Sequence, residues 1–254
     1  VPSEDKIHDL RENLSGFGYK LAKGQVLRPK LFNQILSKAK GTDSEETINQ
    51  LVLRSQSQAE YSISNVGHFG LALARYAHFT SPIRRYSDLL VHRALIAASN
   101  FDAGKKYSIA DQQLEDICKH ISQTERRAAT AARAANDRYL ASFMKDKLGQ
   151  TFNATISGVK KFGVFVTIGQ ENVDALLPTS KLPADYYRYD ERRQTLAGRH
   201  NGLVLGLGQK IHVILKTADA ITGRLAVEYA GESSGYRNMD HLKAPDKTLS
   251  LIHI

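Results

Sequence analysis

The feature that most constrains this chain is a change of hydrophobic period at Gly149. Upstream, apolar residues recur at the three- and four-residue spacing of helices, as in Leu31, Phe32, Ile35, Leu36 and Ala39. Downstream the period drops to two, in FNATISGV, FGVFVTI, DALLPT, KIHVILKT and GRLAVEY, separated by glycine and polar turns. A helix-rich part over 1–148 followed by a five-stranded barrel over 149–230 makes the chain α+β, with a polar tail over 231–254. Short alternating strands of this kind close into a small barrel of the OB-fold type, because closure removes the sheet edges.

Within the first part, Ser3 reads as an N-cap for a helix to about Ser15, and Pro29 opens a second helix. Thr42-Asp43-Ser44-Glu45 has the spacing of a capping box for a third helix. Ala59–Ser64 alternates and reads as a strand, and His68–Phe79 as a strand or loop. Thr80 or Ser81 then caps a helix entered at Pro82, with Ile83, Tyr86, Leu89, Leu90, Ala94 and Leu95 on its apolar side. Ser108 and Asp111 begin another helix, and a second capping box, Ser122-Gln123-Thr124-Glu125, breaks it. The alanine-rich helix beyond runs to about Leu148. Its Ala128, Ala129, Ala132 and Ala135 leave room for a close neighbour; Arg126, Arg127, Arg133 and Arg138 line a basic groove or a solvated face.

Lys and Arg outnumber Asp and Glu by 35 to 26, a formal charge of +9 with a pI near 9.5, which favours a polyanionic partner. The single cysteine, Cys118, excludes an intrachain disulfide, falls in an apolar helical pattern and fits a reducing cytoplasm. No apolar run approaches a membrane span. His68, His78 and His92 lack zinc-ligand spacing, Ser81 lacks a nucleophile elbow, and Gly16-Phe17-Gly18 lacks a third glycine and a preceding strand.

Two stretches carry ligand chemistry. In HFTSPIRRYSD, Thr80, Ser81, Arg84 and Arg85 cluster at an expected helix start, where free N–H groups and forked guanidinium donors make a phosphate clamp. The same pattern also suits an ordinary basic first turn. In KKFGVF, Lys160 and Lys161 flank Phe162 and Phe165, whose rings either stack bases or fill the core. An unbroken strand would put residues three apart on opposite faces, unless Gly163 marks a bulge.

HFTSPIRRYSDLLVHRAL resembles the signature of the ribonuclease II / ribonuclease R (RNB) family, and SEDKIHDLRENLSGFGY and ERRAATAARAANDRYLASFMKDKLGQTF resemble it in order and spacing. The part around FGVF is similar to the RNA-binding domain repeated in ribosomal protein S-one, with Pro178 where a third-strand histidine is common. The resemblance implies the C-terminal half of a catalytic domain followed by an OB-fold domain. The parent would be a processive 3′→5′ exoribonuclease that degrades single-stranded RNA to nucleoside 5′-monophosphates at a two-Mg²⁺ site. Arg84 would be the catalytic arginine on the scissile phosphate. Arg85, Thr80, Ser81, Arg133, Lys160, Lys161, Phe162 and Phe165 would contact RNA. The family's metal-binding aspartates form a tight cluster, and no such cluster stands in this sequence. The expectation is therefore no metal bound by this chain alone and, as a partner besides RNA, a preceding part of the same domain. The alternative function is a catalytically inactive RNA-binding module.

Overall fold

The computed structural model describes residues 2–24, 27–99, 109–169, 171–191 and 193–232. Five helices are present among them: α1 (Glu4–Gly16), α2 (Pro29–Ala39), α3 (Glu45–Ser55), α4 (Tyr86–Ala98) and α5 (Asp111–Met144). Eight strands follow: β1 (Thr151–Lys160), β2 (Gly163–Ile168), β3 (Val173–Pro178), β4 (Tyr187–Asp190), β5 (Thr195–Gly198), β6 (Val204–Gly206), β7 (Lys210–Asp219) and β8 (Arg224–Glu232). The chain is mixed α+β. The described residues divide into two compact units, one drawn from 2, 24–34 and 56–133, the other from 3–23, 35–55 and 134–232.

In the second unit β1, β2, β3, β8 and β7 close a barrel in that order. All neighbours are antiparallel except β3 and β8, which meet in parallel at Leu176 and Ala226. The period-two pattern explains the core. Val164, Val166 and Ile168 of β2 point inward and are fully buried, as are Ile156, Val159, Leu177, Ile211, Val213, Leu215 and Val227. Burying each such side chain contributes roughly 1.5–3 kcal/mol. Ala141 and Met144, at the end of α5, join this core.

A three-stranded sheet of β4, β5 and β6, not foreseen from the sequence, contributes Leu196 and Leu205 to the same core. Helices α1 and α3 belong to this unit. Ile7, Leu10, Leu14, Ile48 and Val52 are buried, and Arg54 Nη1 donates to the Ser157 carbonyl at 2.7 Å.

In the first unit the sequence expectations need several corrections. Residues 59–64 form no strand, and 68–79 are a loop with one isolated bridge, His68 to Leu73. Helix α4 starts at Tyr86 with Arg85 as its N-cap, four residues beyond Pro82. The reason is that Ser81 does not cap with its hydroxyl; its N–H is held by Asp88, and residues 82–84 make a turn instead. Ile83, Tyr86 and Leu95 of the expected apolar side are exposed; Ser87, Asp88 and Leu90 are the buried positions.

Helix α5 runs unbroken through Ser122 because its hydroxyl bonds back to the Cys118 carbonyl at 2.8 Å while accepting the Tyr61 N–H at 2.9 Å. Ala128, Ala129, Ala132 and Ala135 are exposed among the described residues. Cys118 is buried, as its apolar setting implied. The expected box at Thr42 is also resolved differently. The Thr42 hydroxyl donates to the Ala39 carbonyl, and the Glu45 carboxylate accepts the Gly41 N–H. A helix start at Ser108 and the tail from 233 lie outside the described residues.

Candidate nucleic-acid interface

The turn preceding α4 is organised by one buried carboxylate. Asp88 is fully buried and stands at the third helical position. Its Oδ2 accepts the Ser81 N–H at 2.7 Å and Arg85 Nη2 at 3.0 Å, and its Oδ1 accepts the Ser87 hydroxyl at 3.2 Å. Arg85 Nε also lies 3.0 Å from Oδ1, off the hydrogen-bond line. Burial pushes the Asp88 carboxyl up. The Ser81 N–H, the Arg85 guanidinium and the Ser87 hydroxyl outweigh it and hold the group below its ordinary value. The Ser81 carbonyl in turn accepts the N–H of Arg84 at 3.2 Å and of Arg85 at 3.0 Å, closing the turn.

The two arginines therefore part company. Arg85 points back to a structural acid, while Arg84 and Ile83 point outward and are exposed. Thr80 is exposed and Ser81 half-buried beside them. The opposition of arginines to a helix dipole is relieved, because a carboxylate sits within the first turn.

Around this turn stands an aromatic series that the sequence did not disclose. His68, Tyr76, His78 and Tyr61 meet edge to face with centroid spacings of 5.0, 5.6 and 5.5 Å, and the Tyr61 hydroxyl and His78 Nδ1 are 3.0 Å apart. Burial raises the Tyr61 hydroxyl above its ordinary value. Phe79 stacks on His92 at 4.2 Å, and His92 Nε2 is 2.8 Å from the Phe79 carbonyl. The signal for these contacts was only the density of rings between residues 61 and 92; their pairing is tertiary. Arg133, on α5, is exposed, with Nε 3.4 Å from the Ala129 carbonyl.

On the barrel, Phe162 and Phe165 are 56% and 38% exposed and meet at right angles, centroids 6.0 Å apart. Both lie outside the core, so the question of an inward ring is answered. Phe162 belongs to the turn before β2, and strand alternation does not govern it. Gly163 sits at φ +154, where a Cβ would come within 2.9 Å of Pro178 Cα and also meet the Leu177 carbonyl. A second irregularity, a register shift in β1 between Ile156 and Gly158, places Gly158 across from Phe165. Lys160 and Lys161 are exposed at the same turn, and Pro178 pairs with Gly163.

Among the described residues no group of three or more His, Cys, Asp or Glu side chains is placed to hold a metal ion. The most heavily hydrogen-bonded carboxylates are engaged otherwise: Asp88 as above, Asp185 by His200 and three backbone N–H groups, and Asp219 by its own turn. These residues do not fit a two-magnesium centre. Among the described residues no helix is long and apolar enough to cross a membrane.

An exposed aromatic pair with flanking lysines on a closed five-stranded barrel, in one chain with the braced SPIRR turn, defines a class that comparison with known families makes specific. Residues 1–100 match the RNB domain and residues 145–229 the S1 RNA binding domain. Together these matches make the chain a fragment of the RNB family. It is similar to Ribonuclease R of Aquifex aeolicus, 39% identical over 227 residues that make up 89% of this chain and 32% of that protein. Ribonuclease R of Escherichia coli is 37% identical over 220 residues, 84% of this chain and 27% of that one. The chain thus spans about a third or less of these relatives' length. Among solved structures, Mycoplasma genitalium RNase R in complex with ribose-methylated single-stranded RNA superposes with a TM-score of 0.81 at 28% identity. That match covers 90% of this chain and 36% of that one.

Proposed function

We propose that this chain is the RNA-gripping and phosphate-clamping portion of a ribonuclease R-like processive 3′→5′ exoribonuclease. In this reading residues 1–148 belong to the catalytic domain and 149–230 form the RNA-binding barrel. The observation that carries it is the exposed Phe162–Phe165 pair beside Lys160 and Lys161. Large rings left in water on a rigid barrel give stacking surfaces, and stacking tolerates every base. The lysines neutralise phosphates without reading sequence. That combination suits an enzyme that must pass any single strand.

Arg84 takes the catalytic role. A phosphodiester under attack gains charge on its non-bridging oxygens, and a guanidinium can meet two of them at once. Arg85 is committed to Asp88 and so fixes the turn from which Arg84 projects. Thr80 and Ser81 lie beside it as further phosphate contacts, and Arg133 meets the strand elsewhere. The enzyme's magnesium ions are held by carboxylates other than those described here, and its products are nucleoside 5′-monophosphates. A second reading, an RNA-binding module without cleavage, is favoured by the engagement of Asp88 and Asp185 in structural bonds.

Fluorescence anisotropy with an unstructured oligoribonucleotide tests the grip, and a Mg²⁺-dependent degradation assay on this chain and on a longer chain carrying a full RNB domain separates the readings. Binding by this chain with degradation only by the longer one supports the first. Binding without degradation by either supports the second, and failure of this chain to bind removes both.

A further inference from the structure

The β4–β5 hairpin carries three tyrosines, and the fold treats one of them differently. Tyr187 and Tyr189 are half-buried and pack on the barrel core. Their hydroxyls are engaged: Tyr187 donates to the Pro183 carbonyl at 2.8 Å and accepts Asn201 Nδ2 at 3.0 Å, and Tyr189 accepts Gln194 Nε2 at 3.3 Å. Tyr186 is on the other side of the pleat and is 73% exposed. The hairpin register pairs Tyr187 with Gly198 and Arg188 with Ala197, and the Arg199 N–H continues it by donating to the Tyr186 carbonyl at 3.0 Å. Tyr186, Arg188 and Arg199 therefore share the outer face, and both arginines are exposed.

This face is also rigid. The Asp185 side chain is 1% exposed, although the residue as a whole is half-buried. Its carboxylate accepts the N–H of Tyr186 at 2.7 Å, of His200 at 2.7 Å and of Asn201 at 2.8 Å, and His200 Nδ1 lies 2.8 Å away. Gly198 makes the approach possible, since a Cβ there would lie 2.9 Å from Asp185 Oδ2 and against the Asn201 side chain. The backbone of Tyr186 is thus held on both sides, by Asp185 at its N–H and by Arg199 at its carbonyl. A ring carried on a held backbone has only its side-chain rotamers left to lose when a flat partner lies on it.

We propose that the outer face of the β4–β5 hairpin is a second contact for single-stranded RNA, with Tyr186 stacking on a base and Arg188 and Arg199 meeting the adjoining phosphates. The ring supplies a sequence-tolerant platform and the guanidinium groups supply charge, the pairing that single-strand binders use. The net charge of +9 likewise favours a polyanionic partner. The proposal rests on the reading of the chain as an RNA-binding protein and adds a site away from the β1–β2 turn.

Anisotropy titrations of the whole chain with an unstructured 20-nucleotide RNA test it. Tyr186→Ala is expected to weaken binding about tenfold and Tyr186→Phe less than about twofold, since the stack needs the ring and not the hydroxyl. Arg188→Ala with Arg199→Ala is expected to lower the slope of log affinity against log salt by about 1.4, close to 0.7 for each phosphate contact. Photo-crosslinking of the unmodified protein to 4-thiouridine RNA is expected to mark the peptide containing Tyr186, which guards against a variant that fails to fold. Parental affinity in Tyr186→Ala, or crosslinks at 160–165 with none at 185–200, overturns the proposal. If Phe162→Ala/Phe165→Ala then still weakens binding, the barrel reading survives and only the hairpin proposal falls. If the unmodified chain binds no RNA, both fall.

Discussion

In the barrel, inward positions of β2 are sealed while Phe165 and Thr167 between them face out, and one dense apolar core extends from Ala141 to Val227. In the segment from 56 to 98 the balance is reversed. Val66, Leu71, Leu73, Ile83, Leu95 and Ile96 are exposed, and the best-buried group is a charged one, Asp88. The barrel holds its exposed rings and lysines by packing, and the turn is held by a knot of polar bonds around one carboxylate. A packed scaffold gives rigid, general presentation of rings and lysines; a polar knot fixes a single guanidinium but depends on few groups. The proposed function assigns the two regions different tasks on that basis, grip to the barrel and phosphate contact to the turn.

The sharpest stability contrast comes from deleting one group from each region. Leu215→Ala, inside the barrel, is expected to destabilise by about 2–5 kcal/mol, read as a shift of the denaturant midpoint with both aromatic and barrel signals moving together. Asp88→Ala leaves the Arg85 guanidinium and the Ser81 N–H without their partner and is expected to destabilise by about 2–3 kcal/mol. This sits below the usual range for a broken buried pair because Arg85 is 26% exposed. Its readout is hydrogen exchange, fast in 81–90 and unchanged in β1–β3. Uniform loss of protection would merge the two regions and remove the contrast.

Acid sharpens the same comparison. The folded Asp88 carboxyl titrates below its ordinary 3.8, so its contribution is complete above that value and is lost as pH falls through the lower folded value. The difference in denaturant midpoint between the parent and Asp88→Asn is therefore expected to be constant from pH 7 to 5 and to shrink below about 4. A difference that widens on acidification would reverse the assigned sign. The smallest stability effect is expected at the barrel surface, where Phe162→Ala changes stability by less than about 1 kcal/mol, since its ring is 56% exposed. A larger loss would mark that ring as structural.

The barrel was legible in the sequence because alternation is a local signal and its main strands run six to ten residues. The β4–β6 sheet was not, because strands of three and four residues are too short for alternation to register. The SPIRR turn was found as a site but its helix was started too early. Capping rules weigh Ser81 and Pro82 locally, and the deciding partner, Asp88, lies seven residues on. The break expected at Ser122 failed for a related reason: a hydroxyl that could cap a new helix bonded back to Cys118 instead. The exposure of both phenylalanines depended on Gly163 and the irregularity in β1, which periodicity alone leaves open.

The division of labour is tested most directly by single-turnover cleavage and equilibrium RNA binding, measured together, in a longer ribonuclease R-like enzyme carrying this segment with Arg84→Lys. A lysine keeps the charge but not the fork. The account predicts a cleavage rate lower by about tenfold or more, as expected when a transition-state contact is lost, with RNA affinity within about twofold of the parent. Cleavage at the parental rate in Arg84→Lys, or a loss of affinity that matches the loss of rate, would contradict it.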